Sequence, residues 1–178
     1  MELTGSIAYA DNDSRETVLS RWYDAYGTDV LRLCCFYLGS RADAEDAAQE
    51  TFLKAWKHME RFQGRNHCTP KTWLMKIACN TCQDHLRRAF RKHEVPRGDI
   101  SAFDQAAPED RELILDVMNL PEKYRAAVLL FYLQSMTVRE TAQALRVSPA
   151  TVSRRLEKAK GIAEELITRF IEGRPLLF

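Results

Sequence analysis

The chain contains no apolar run long enough to cross a bilayer, which takes about 18 or more consecutive residues. Its opening stretch, Met1 to Ser14, is polar and lacks the apolar centre of an export signal, so a cytoplasmic protein without membrane insertion is expected. Net charge is nearly missing as well. The 26 Lys and Arg against 25 Asp and Glu leave +1, which excludes a uniformly basic coat for nucleic acid but not local basic patches. Five cysteines are present, Cys34, Cys35, Cys68, Cys79 and Cys82, an odd number in a chain expected to be cytosolic, which argues against a disulfide framework. Signatures of catalysis are missing too. There is no Gly-rich phosphate loop and no nucleophile elbow, and the carboxylates lack the paired Glu-x-x-His of a di-metal site. No catalytic residue, cofactor or metal is therefore expected. Convincing β-alternation is absent throughout.

What is present is helical periodicity. Asp13 and Glu16 suit a capping box, followed by Trp22, Tyr23, Tyr26, Val30, Leu33, Phe36 and Tyr37, with Gly39 as the stop. Ser40 and Asp43 start a second helix that turns Ala44, Ala47, Ala48, Phe52, Ala55 and Trp56 inward. Residues 61–69 read as a loop. Thr69 then caps a third helix with Pro70 at its first position and Trp73, Leu74, Ile77, Ala78 and Leu86 as its apolar stripe. The stretch 93–108, with Pro96, Gly98 and Pro108, breaks the pattern and reads as a linker. Helical signals return at 109–119, 121–133, 138–145 and 149–171. The fold class expected is all-α: two small helical domains, residues 15–92 and 109–172, joined by a flexible linker at 93–108, with a variable segment 1–14 and a tail 173–178.

The strongest local signal is Thr137 to Leu156. Thr137 and Glu140 form a capping box, Ala142 sits where two helices cross, and Leu145, Val147 and Val152 point to a shared core. Ser148 and Pro149 start a second helix. This spacing is that of a helix-turn-helix, whose second helix enters the major groove by its N-terminal end. Ala150, Thr151, Ser153 and Arg154 then lie nearest the bases, Ser148 at the helix start joins the DNA contact, and Arg155, Lys158 and Lys160 mostly meet phosphates. Arg146 occupies the turn position that usually carries glycine, at a cost of about 1 kcal/mol.

The second helix crowds Asp43, Glu45, Asp46 and Glu50 into its first turns. Acids there complement the helix dipole and also form an acidic surface for a basic partner. The third helix is opposite in character. From Arg61 to Arg97 there are nine Lys or Arg against Asp84 and Glu94, and Phe62, His67 and Trp73 stand at its entrance. Basic charge beside aromatics suits single-stranded nucleic acid; Trp73 reads equally well as core.

Together these segments resemble the group 4, extracytoplasmic-function (ECF) branch of the sigma-70 family. Asp43-Ala-Glu-Asp-Ala-Ala-Gln-Glu-Thr-Phe-Leu-Lys-Ala-Trp56 is similar to its region 2.2, and Thr72 to Arg88 to its regions 2.3 and 2.4. Leu120 to Leu130 with the helix-turn-helix is similar to region 4. The resemblance implies a sigma factor that binds core RNA polymerase, at its clamp helices and flap, and directs promoter-specific initiation. Asp43, Asp46, Gln49, Glu50 and Phe52 would meet core polymerase. Gln63, Arg65, Asn66, His67, Lys71, Trp73, Lys76, Asn80, Arg87 and Arg88 would bind and melt the −10 element, and the helix-turn-helix would read −35. The linker would thread toward the active-site and RNA-exit channel, where Asp99, Asp104, Glu109 and Asp110 mimic nucleic-acid charge or are simply solvated. Many members are held by an anti-sigma partner, and the residues identify none here. The loop Gly64-Arg-Asn-His-Cys-Thr-Pro70 departs from the family's Gly-Asp-Ser-x-Phe, so the preferred −10 base does not carry over, and Cys79 stands where arginine or an aliphatic residue is common.

Two other readings stay open on the residues alone. Cys79, Cys82 and His85, with His67 and Cys68, offer zinc ligands or a thiol sensor, against which buried cysteine behaves as a small hydrophobe. A helix-turn-helix regulator that binds duplex DNA without core polymerase explains residues 137–160 equally well, but leaves the acidic helix and the basic aromatic segment without a role.

Overall fold

The helices begin and end where side chains satisfy their free backbone groups. In the computed structural model, which describes residues 14–62, 68–92, 100–104, 108–161 and 164, there are seven α-helices and no strand among the described residues. Helix α1 (Arg15–Leu38) is capped by Ser14, whose hydroxyl accepts from the Thr17 amide. The start is therefore one residue later than the Asp13 reading, and Asp13 lies outside the described residues. Gly39, at φ 73°, ends α1 with its amide on the Cys35 carbonyl, a conformation that costs an L side chain more than glycine. Ser40 caps α2 (Arg41–His58) and Thr69 caps α3 (Pro70–Arg91), with Pro70 at the first position.

These three helices pack around Trp22, Leu33, Phe36, Tyr37, Ala47, Ala55, Leu74, Met75 and Ala78, all essentially inaccessible to water. Trp22, Phe62 and Trp73 form an aromatic cluster with ring centroids 5.3 to 5.8 Å apart, so Trp73 is tied to the core while remaining half-buried. Two aromatics expected inside are outside: Tyr23 is 60% and Trp56 40% exposed.

Part of the stretch read as linker is folded. Residues 93–99 and 105–107 lie outside the described residues, but Ser101–Phe103 form a 3₁₀ turn docked on the α1–α2 junction. Phe103 is buried against Phe36 at 4.8 Å. The Ala102 amide donates to the Gly39 carbonyl, and the Arg41 amide donates to the Ser101 hydroxyl.

The second group of helices is α4 (Pro108–Asn119), α5 (Glu122–Val128), α6 (Val138–Leu145) and α7 (Pro149–Lys158). A π-turn, Leu129–Leu133, continues α5, and Ser135 follows it at φ 53°. The second group packs directly on the first: α6 lies against α3, and α4 and the π-turn against α1. Arg125 Nη1 donates to the Tyr37 carbonyl at 3.1 Å, and Gln134 Nε2 to the Asp29 carbonyl at 2.9 Å. One contiguous apolar core thus runs through both groups.

Candidate nucleic-acid interface

The turn between α6 and α7 is built as the sequence predicts. Thr137 and Glu140 close a reciprocal capping box. Arg146 adopts φ 54°, ψ 44°, left-handed, and the Val147 amide reaches back at 3.1 Å to the Ala142 carbonyl, which also accepts from the Arg146 amide, so the helix end is closed by backbone bonds. Val152 is fully buried beneath the turn, while Leu145 and Val147 are only half-buried. Ser148 caps α7, its hydroxyl accepting from the Thr151 amide at 3.2 Å. The helix then presents Ala150, Ser153, Arg154 and Lys158 to solvent. Ser153 Oγ donates to the Pro149 carbonyl and Arg154 Nη2 to Thr151 Oγ1, so the arginine folds toward the N-terminal end that a groove-reading helix inserts. Thr151 and Arg155 are half-buried. Arg155 lines a groove with Gln83, Pro121 and Glu122, whereas Arg154 is exposed.

On α3 the predicted residues separate. Asn80, Arg87 and Arg88 are exposed, whereas Lys71, Trp73 and Lys76 are half-buried. Lys71 pairs with the Asp29 carboxylate at 2.9 Å, and Arg87 lies 3.4 Å from Asp84. Gln63, Arg65, Asn66 and His67 lie outside the described residues.

Helix α2 divides its predicted residues between two faces. Asp43, Asp46 and Gln49 are exposed. Glu50 faces α3 instead, where its carboxylate meets Lys54 Nζ at 2.8 Å, His85 Nε2 at 2.9 Å and Arg88 Nη2 at 3.2 Å. Burial pushes this carboxyl up, but the three bonds outweigh it and hold it down at about 2. Phe52 is mostly buried under the Tyr23 ring, 5.0 Å away.

The sequence reading missed the apolar part of this face. Tyr23, Leu53 (59% exposed) and Trp56 stand out from the surface, and a groove of about 300 Å³ lies among Leu19, Tyr23, Phe52 and Trp56. A signal for it was present. The buried stripe Ala44, Ala47, Thr51 and Ala55 fixes which side of α2 faces inward, and Leu53 falls out of phase with it.

Cys79 and Cys82 do not gather ligands. Both are buried against α1, near Cys34 and Tyr37, while His85 turns to Glu50. Burial raises the Cys79 and Cys35 thiols to about 12 and pushes Cys82 up as well. Thiols so placed are poor nucleophiles. No group of three His, Cys, Asp or Glu able to hold a metal occurs among the described residues.

Comparison with known proteins decides the family. Residues 22–92 match the family described as sigma-70 region 2, and residues 111–161 match sigma-70, region 4. The ECF RNA polymerase sigma factor SigM of Bacillus subtilis (strain 168) is 30% identical over 157 residues, covering 83% of this chain and 93% of SigM. The chain belongs to the ECF branch of the sigma-70 family. As a sigma factor it serves RNA polymerase in promoter-specific initiation. SigW of the same organism is 28% identical over 77% of this sigma factor and 82% of SigW. Two solved structures share its fold. One is the sigma factor RpoE in complex with the anti-sigma factor NepR from Bartonella quintana, with TM-score 0.68, 18% identity and coverage of 84% and 96%. The other is CnrH in complex with the cytosolic domain of CnrY, with TM-score 0.64, 19% identity and coverage of 86% and 89%. No described helix of this sigma factor is long and apolar enough to cross a membrane.

Proposed function

We propose that this sigma factor acts in the cytoplasm as two promoter-binding units, residues 15–92 and 109–172, carried by core polymerase. It contributes binding energy and no catalysis. The observation that carries this reading is the pairing of two uncovered surfaces on one chain: the acidic and apolar outer face of α2, and the exposed face of α7, whose polar first turn is followed by Arg154 and Lys158. Asp43, Asp46 and Gln49, flanked by Tyr23, Leu53 and Trp56, dock on the polymerase clamp helices. Charge selects and orients a basic partner, and desolvated aromatics supply most of the affinity at such contacts. Glu50 and Phe52 hold that face in shape from beneath.

On the DNA side, Asn80, Arg87 and Arg88 contact the −10 region, with Lys71, Trp73 and Lys76 at the α3 entrance and Gln63, Arg65, Asn66 and His67 in the preceding loop. Trapping unstacked bases there offsets a melting cost of a few kcal/mol. Ser148, Ala150, Thr151, Ser153 and Arg154 read −35, and Arg155 and Lys158 approach phosphates. The flap positions the second unit. Because one solved structure of this fold is a sigma factor in complex with an anti-sigma factor, an anti-sigma factor is proposed as the third partner. A regulator acting without polymerase has no use for the α2 face.

Run-off transcription with purified core polymerase on a promoter library tests the reading. Asp46→Lys is expected to weaken core association at least tenfold, about 1.4 kcal/mol, without loss of helicity. Association unchanged by this charge reversal would refute the α2 assignment.

A further inference from the structure

Two arginines of the helix-turn-helix stand where the fold itself disfavours them. Arg146 ends α6 in a left-handed backbone, φ 54° and ψ 44°, a conformation that costs a residue with a Cβ more than glycine. The packing makes no use of its side chain, which is exposed; only the backbone amide is engaged, on the Ala142 and Gln143 carbonyls. Arg139 sits in the first turn of the same helix, just past the Thr137 cap, where the positive end of the helix dipole opposes a cation. It too is exposed. Other arginines at the surface rest on carboxylates: Arg41 on Glu45, Arg87 on Asp84 and Arg88 on Glu50. The side chains of Arg139 and Arg146 make no hydrogen bond or ion pair among the described residues. Strain and unfavourable charge held at two exposed points, with no gain to the fold, point to binding.

Their placement fits the rim of a DNA groove. From Arg139 to Arg146 the helix completes two turns less about 20°, so both lie along one edge of α6, about 10 Å apart. Arg146 comes shortly before Ser148, the cap of α7, and is within about 7 Å of it. That capped end is the one a major groove admits, and the groove is about 12 Å wide. A guanidinium beside the cap therefore meets the phosphate rim and not a base edge. The first helix of such a pair crosses the sugar-phosphate backbone, which brings Arg139 to phosphate as well. About 10 Å is enough for the two to hold separate phosphates, which follow every 3.4 Å or so along each strand. The planar guanidinium also suits phosphate oxygens, which it can bind two at a time.

We propose that Arg139 and Arg146 form a phosphate clamp at the two ends of α6, which grips the duplex backbone at −35 and sets the depth and register of α7 in the groove. Its ligand is the phosphodiester backbone of duplex DNA, recognised by charge and shape and not by sequence. The clamp rests on the proposed reading of −35 by α7 and adds to it. Arg154 and the first turn of α7 select the site, while the clamp supplies sequence-independent affinity and holds the selecting residues in place. It also explains the arginine in the turn: glycine there would relax the backbone and forfeit the contact.

The test is promoter binding by holoenzyme, assembled from core polymerase and the full chain. Binding is titrated against salt on a −35-dependent promoter duplex and on the same duplex with the −35 element scrambled. Arg139→Gln and Arg146→Gly are compared with wild type and with Arg154→Ala. Each clamp variant is expected to lower affinity about three- to tenfold on both duplexes alike. Each should also reduce the slope of log affinity against log salt by about 0.9, and the double variant by about 1.8. Arg146→Lys keeps the charge and is expected to keep the slope, whereas Arg154→Ala narrows the difference between the duplexes. Arg146→Gly should bind worse although its turn is relaxed, which separates the effect from loss of fold. An unchanged slope in either single variant would overturn the clamp. So would a loss of core association in place of DNA affinity, which would make the arginines a protein contact. If wild-type holoenzyme showed no preference for the intact −35 element, the reading of α7 would fall, and the slopes would still decide whether the two arginines hold phosphate.

Discussion

Replacing Glu50 with glutamine removes one carboxylate from among two cations and an imidazole while preserving its shape. Lys54, His85 and Arg88 all lie within 3.2 Å of it, and the side chain is 33% exposed. Taken at face value, a carboxyl lowered from 4.5 to about 2 corresponds to roughly 3.4 kcal/mol at 1.36 kcal/mol per unit. Partial exposure screens the pairs, and each is worth about 0.2–1 kcal/mol, so about 1.5 kcal/mol is the better figure for the sum. For a chain of this size that lowers Tm by about 3–6 °C. The sign with pH follows from the depressed value. The contribution is fully present above the unfolded carboxyl's 4.5 and is lost as pH falls toward about 2. Thermal melts of both proteins, followed by far-UV circular dichroism, should therefore show a gap at about pH 7 that narrows below about pH 4.5 and closes near about pH 2. A gap under about 1 °C at neutral pH, or one that persists in acid, would refute the reasoning. The same network means that charge reversal at Glu50 disturbs the fold as well as the docking face, so Asp46 is the residue to reverse when only docking is in question.

Phe103→Ala should destabilise the chain by about 3 kcal/mol, as loss of a buried phenyl ring does, in urea unfolding; a cost below about 1 kcal/mol would mean that the ring is not docked on Phe36. Arg146→Gly relieves a left-handed backbone and should raise stability by about 0.5–1 kcal/mol, read as a higher urea midpoint. With a thiol reagent under native conditions, half-buried Cys68 should react first, with Cys34, Cys35, Cys79 and Cys82 protected until unfolding; rapid modification of Cys79 or Cys82 would contradict their burial. Arg154→Ala should weaken −35-dependent initiation by about 1–3 kcal/mol in run-off assays, and unchanged promoter choice would count against α7 as the reading helix.

Features set by near neighbours along the chain are legible in the amino-acid sequence. The caps at Ser40, Thr69, Thr137 and Ser148, the stop at Gly39 and the odd arginine in the turn each depend on a few consecutive residues. Orientation is less legible. Tyr23 and Trp56 are apolar and near the helical stripe, yet they face solvent, because periodicity locates a stripe only to within about one residue on either edge. The role of Glu50 depends on Lys54, His85 and Arg88, two of them at least 35 residues away in sequence, and a run of acids gives no hint of it. The docking of the second group of helices on the first is beyond reach for the same reason. Gln134 and Asp29 are 105 residues apart, and nothing in either local pattern announces the other.

The Lys71–Asp29 pair has a consequence for how salt acts on this sigma factor. In the proposed role Lys71 approaches the DNA backbone, but its ammonium is already neutralised by a carboxylate of the same chain. Taking up a phosphate there exchanges one anion for another instead of adding a new contact between opposite charges. The slope of log affinity against log salt should then fall short, by about one unit, of what the number of basic side chains at the DNA surface suggests.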